Sequence, residues 1–97
     1  RFVKAPEALA IGLVDSVVPA SEVYESARSM MARYVGGPAY ALRAAKEAID
    51  RGLEVDLDSG LEIERMLFSA LFATKDRAIG MRHFVDKGRG PAPFEGA

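Results

Sequence analysis

Glycine and proline cut this chain into short helical runs, and the cuts leave only one segment with the composition of a strand. Ala5-Pro6-Glu7-Ala8-Leu9-Ala10-Ile11 suits a short helix, because proline is tolerated in a first turn and good helix formers follow it. Gly12 ends that run. Leu13 to Val18 then bring β-branched residues around Asp15 and Ser16, with Pro19 as a stop, which predicts a short strand or extended segment. A single strand cannot make a sheet, since its backbone groups need a neighbour.

The remaining runs are helical in period. Ser21 is a candidate N-cap for a run carrying Val23, Ala27, Met30, Met31 and Tyr34, which Gly36-Gly37 breaks. Pro38 opens a third run whose Ala41, Leu42, Ala45, Ala48 and Ile49 form a narrow stripe of mostly small residues, suited to close approach by another helix. Lys46 and Asp50 lie four apart on its solvated side, and Gly52 stops it. Asp56 to Ala73 carry the strongest amphipathic pattern: Leu57, Leu61, Phe68, Leu71 and Phe72 share one face, and Ile63, Met66, Leu67 and Ala70 widen it. A face that wide calls for cover on more than one side. Thr74 caps a fifth run, with Asp76 in its first turn and Ala78, Met81, Phe84 and Val85 as its apolar stripe. Beyond Gly88 the tail is too rich in Gly and Pro for regular structure and is expected to be flexible.

The fold class expected is therefore mainly α, with about five helices and one short strand-like segment. With 49% hydrophobic residues in 97, the chain has more apolar material than so small a unit readily buries, and some of it is expected to face a partner. The start at Arg1, with helical patterning a few residues later, suggests a piece of a longer protein.

Composition excludes several functions. Thirteen Lys and Arg against fourteen Asp and Glu leave a net charge of -1, which gives no field for nucleic acid or an anionic membrane. No apolar run approaches the roughly twenty residues of a bilayer span. Without cysteine there is no disulfide or thiolate metal site, and one histidine makes no histidine cluster. The same absence is compatible with a cytoplasmic location.

Candidate chemistry is sparse. His83 lacks the nucleophile-elbow sequence that a serine triad would bring, so a helix-surface role is the simpler reading. Glu64 falls on the apolar face between Leu61 and Phe68, where a carboxylate needs partners such as Arg65 or Arg82, or partial exposure. Asp15 is a weaker case of the same kind. Lys75, Arg77, Arg82, Lys87 and Arg89 outnumber Asp76 and Asp86 over 75–89, which suits either a phosphate or a solvated helix end.

In order, Ala8-Leu9-Ala10-Ile11-Gly12-Leu13-Val14-Asp15, Val17-Val18-Pro19, Pro38 with Lys46, Glu64, Phe68, Phe72-Ala73-Thr74, Asp76, Gly80-Met81 and Phe84-Val85-Asp86-Lys87 resemble the C-terminal third of the enoyl-CoA hydratase/isomerase, or crotonase, family. The resemblance implies that residues 1–20 end an upstream α/β spiral core. It makes 21–97 a helical oligomerisation and lid region with a flexible tail from about 88, in a homotrimer or hexamer. It implies an acyl-CoA thioester substrate, no cofactor or metal, and catalytic groups that precede Arg1, so that none is assigned here. Two substrate contacts follow from it: Phe68 near the acyl or pantetheine pocket, and Lys87 at the adenosine-phosphate end of CoA. The activity implied is hydration of a 2-trans-enoyl-CoA, with enoyl-CoA isomerisation the neighbouring alternative. A non-catalytic helical oligomerisation module is the alternative from another class. The sequence departs from the family pattern where Ile79 precedes Gly80 and where Gly88 separates Lys87 from Arg89, which leaves both basic residues open as the phosphate contact.

Overall fold

A computed structural model describes all 97 residues. The chain divides into two compact units, Arg1–Arg33 and Tyr34–Ala97.

The first unit holds α1 (Ala5–Ala10), a single 3-10 turn (Ala20–Glu22) and α2 (Val23–Ala32). Helix α1 closes as the sequence requires: Gly12 takes φ +73°, and the amides of Gly12 and Leu13 donate back to the carbonyls of Leu9 and Ala8, at 3.1 and 2.8 Å. A residue with a β-carbon would pay a steric penalty in that left-handed position. The segment from Leu13 to Val18 forms no strand, and the strand-like expectation is corrected accordingly: no other extended segment lies beside it to complete a ladder. Ser21 is not an N-cap either. The Glu22 amide donates to the Pro19 carbonyl at 2.9 Å, so a backbone turn begins the helix and no side chain caps it.

The second unit holds α3 (Ala39–Gly52), α4 (Leu57–Leu71) and α5 (Lys75–Lys87). Helices α3 and α4 form an antiparallel-type hairpin of short connection, in which a β-carbon built on Gly60 would lie 3.5 Å from the Gly52 backbone. Small residues at that crossing let the two backbones approach. Lys46 and Asp50 pair at 2.7 Å and Arg51 and Glu47 at 3.2 Å on the outer side of α3. These are exposed pairs that add a few tenths of a kcal/mol each, about 0.3–0.5 by the usual measure of such spacings.

Both later helices begin with a side-chain cap. Asp56 accepts from the Ser59 amide at 3.0 Å and from its hydroxyl at 2.7 Å. Thr74 accepts from the Arg77 amide at 3.2 Å and donates to the Leu71 carbonyl at 2.7 Å, joining the end of α4 to the start of α5. Helix α5 stops at Gly88, whose φ is +75°.

Helix burial is shallow throughout. Only Ala8 and Asp76 are buried, and no side chain is fully so. The wide apolar face of α4 is only part covered by α3, and Leu57, Met66 and Phe68 remain 76%, 66% and 60% exposed. The stripe assigned to α5 also needs correction. Phe84 and Val85 face solvent in this chain, while Asp76, Ile79, Gly80 and His83 are the buried or half-buried positions.

Candidate functional site

Two hollows of the second unit contain the candidate contacts Phe68 and Lys87. The first is a groove of about 290 Å³ between α3 and α4, walled by Ala41, Ala45, Ala48 and Ile49 on one side and Glu64, Phe68 and Leu71 on the other. Its width follows from composition. Alanines on α3 leave space opposite the larger side chains of α4, so the helices meet at their glycine crossing and open a trough beside it. Phe68 stands at its rim, its ring edge-on to Phe72 with centroids 5.3 Å apart at 77°. An exposed aromatic held by a second ring offers a fixed apolar wall at low entropic cost.

Glu64 also lines this groove. It is exposed and makes no ion pair with Arg65 or Arg82, so water satisfies the carboxylate in this chain. That is the exposure alternative read from the sequence. Asp15 is likewise exposed, in the irregular segment of the first unit, and forms no ion pair.

The second site is a cleft of about 350 Å³ between α5 and the tail, lined by Ala78, Ile79, Arg82, His83, Asp86, Lys87 and Pro93. Helical spacing places Ile79, His83 and Lys87 four apart along one face, with the tail crossing it. The basic cluster read over 75–89 is thereby divided. Arg82 and Lys87 share the cleft with Asp86 and form no ion pair. Arg77 turns away to donate to the Phe72 carbonyl at 3.3 Å, its guanidinium 5.4 Å from the centre of that ring. Arg89 does not line the cleft. Two cations and one carboxylate thus line a hollow with room for a phosphate group. Phe68 and Lys87 thus occupy separate hollows.

The residue that sequence reasoning undervalued is Asp76. It reads as a first-turn acid complementing the helix dipole, yet only 3% of it is exposed. Its two carboxylate oxygens accept from the amides of Glu95 and Gly96 at 2.8 and 2.9 Å, and its own amide donates to the Ala97 oxygen at 2.9 Å. The usable signal was polar periodicity: Asp76, Gly80, His83 and Lys87 recur at helical spacing, and that stripe receives the tail.

The family model described as enoyl-CoA hydratase/isomerase matches residues 1–96. The chain belongs to the enoyl-CoA hydratase/isomerase family. Among its relatives, the short-chain-enoyl-CoA hydratase of Clostridium acetobutylicum is 38% identical over 88% of this chain and 33% of its own length. The crotonyl-CoA hydratase of Syntrophomonas wolfei is 34% identical, again over 88% of this chain and 33% of its own. Two crystal structures titled as enoyl-CoA hydratases superpose closely. That from Geobacillus kaustophilus has a TM-score of 0.88 at 33% identity, over 98% of this chain and 35% of its own. That from Bacillus anthracis has a TM-score of 0.85 at 35% identity, over 96% and 35%.

The chain therefore spans about a third of the length of the family members it matches. Its helices are the family's own. That coverage also accounts for the shallow burial, since a third of such a protein lacks the surfaces against which the rest of its apolar residues pack.

Proposed function

We propose that this chain is the C-terminal part of an enoyl-CoA hydratase, with residues 1–20 ending its core and 21–97 forming its helical assembly and lid region. The observation that carries the reading is the match of the family pattern to residues 1–96, together with similarity to relatives named for enoyl-CoA or crotonyl-CoA hydration. The reaction adds water across the 2,3 double bond of a 2-trans-enoyl-CoA. Oxygen bonds to C3, a proton is delivered to C2, and a 3-hydroxyacyl-CoA results. The intermediate charge on the thioester oxygen calls for aimed N–H donors, and proton delivery calls for a positioned acid and base. None of the residues described above is assigned those tasks.

The contributions proposed for this chain are to binding. Lys87, in the cleft with Arg82, supplies a cation for a phosphate of the CoA end. Phe68 supplies an apolar wall to the acyl or pantetheine portion. The exposed apolar faces of α4 and α5 leave surface for the rest of the enzyme to cover, whether within one subunit or across the interfaces of a homotrimer or hexamer. No helix is long and apolar enough to cross a membrane, and the lack of cysteine fits the reducing cytoplasm.

Lys87→Ala in the complete enzyme tests the ligand contact. Loss of one partly solvated charge contact should raise KM for CoA esters by about three- to tenfold while kcat changes little. The rise should shrink with added salt, because screening weakens the contact in the unsubstituted enzyme. An unchanged KM and salt dependence would remove Lys87 from the site.

A further inference from the structure

The tail from Gly88 to Ala97 has no regular structure, yet it is fastened to α5 along a line. Asp76 stands at one end, almost fully buried, and both carboxylate oxygens are committed to backbone amides of Glu95 and Gly96. One turn along the helix, Phe94 lies on Gly80: a β-carbon built there would stand 3.1 Å from Phe94 Cε1 and 3.4 Å from Cζ. The Phe94 amide donates to the Ala92 carbonyl at 2.9 Å, closing a three-residue turn with Pro93 at its apex. Pro93 is then a wall of the cleft that holds Arg82, His83 and Lys87.

We propose that Asp76 is a positioning residue that fastens the tail across α5, so that Pro93 closes the cleft carrying Lys87. The chemistry supports a fastener of this kind. A tail rich in Gly and Pro has few side chains to pack and loses much chain entropy on docking. Two charge-assisted bonds to one buried carboxylate are among the stronger contacts a short segment can make. Glycine at position 80 completes the arrangement, since a side chain there would occupy the space of the Phe94 ring. No substrate contact is assigned to Asp76. It acts through the tail, and its effect on ligand rests on the reading of the Lys87 cleft as a CoA-phosphate surface.

The test separates the two ideas. In the complete enzyme, Asp76→Ala should speed exchange of the Glu95 and Gly96 amides by about tenfold or more, the scale for losing hydrogen bonds to a charged group. It should also raise KM for CoA esters with a smaller change in kcat. In a background ending at Ala92, Asp76→Ala should add nothing to the KM already raised by the deletion. Phe94→Ala loosens the same segment from the tail side, and should speed the same amides should Asp76→Ala not fold. Unchanged exchange in whichever of these two variants folds, or an equal KM effect of Asp76→Ala with and without the tail, overturns the fastener. If exchange responds while Lys87→Ala leaves KM unaltered, the fastener stands and the phosphate reading of the cleft falls.

Discussion

Asp56 and Thr74 show how single side chains set where these helices begin. Hydrogen bonds from the Ser59 hydroxyl and amide hold the Asp56 carboxyl below its ordinary value of 3.8. The folded state therefore favours the charged form. The stabilisation is complete above the ordinary carboxylate range and fades as acid carries the pH down through the lowered value. Carboxyl NMR titration should place the Asp56 midpoint below 3.8, and Ser59→Ala should move it back up. A midpoint indifferent to Ser59→Ala would contradict this cause. Thr74→Ala should destabilise the protein by about 1 kcal/mol, the usual cost of an N-cap hydroxyl, whereas Thr74→Ser should cost much less. Denaturation midpoints of the two variants check the difference. The Thr74 cap was legible in the sequence, as a small polar residue before an apolar helical run, but the same reasoning failed at Ser21, where a backbone turn begins the helix. The double role of Asp76 was not legible, because its partners lie 19 and 20 residues away.

At the scale of elements, α3 and α4 are matched by their small residues. The alanine stripe read on α3 does face α4, and the glycines at positions 52 and 60 set the closest approach. A β-carbon on Gly60 meets the Gly52 backbone at 3.5 Å, an ordinary contact distance. Gly60→Ala should therefore be tolerated and even gain up to about 1 kcal/mol from helix propensity. Gly60→Leu should force the helices apart and cost about 1–3 kcal/mol. Urea denaturation of both variants decides the point, and equal stabilities would contradict a close crossing. Periodicity revealed these helices to within a few residues. It did not reveal which parts of their faces would be covered, because period alone marks a face as apolar without saying what packs on it. For the same reason Phe84 and Val85 read as a buried stripe on α5 and instead face solvent. Leu13 to Val18 had strand composition, but strand formation depends on a neighbour that local sequence does not contain.

Across the whole chain, the exposed apolar surface calls for a cover, both for a part of an enzyme and for an independent oligomerisation module. Leu53, Leu57, Phe84 and Val85 are 83%, 76%, 61% and 81% exposed. Patches of such residues are rare on a free monomer, and some other surface should cover them. Each alternative supplies a different cover. An oligomerisation module would cover these residues with copies of the same 97 residues. The chain alone would then sediment as one discrete oligomer and bind little of a dye that reports apolar surface. If the cover is the remainder of a hydratase, the chain alone should bind dye strongly, associate without a fixed size, and leave crotonyl-CoA unhydrated. The same reading predicts complementation: the preceding part of the enzyme, expressed as a separate polypeptide with this chain, should recover measurable hydratase activity that neither piece shows alone. Leu57→Lys with Val85→Lys should reduce the recovery, since placing charges under the cover incurs desolvation without a partner. A discrete, dye-silent oligomer of the chain alone would favour the module and overturn the reading of the chain as part of a hydratase.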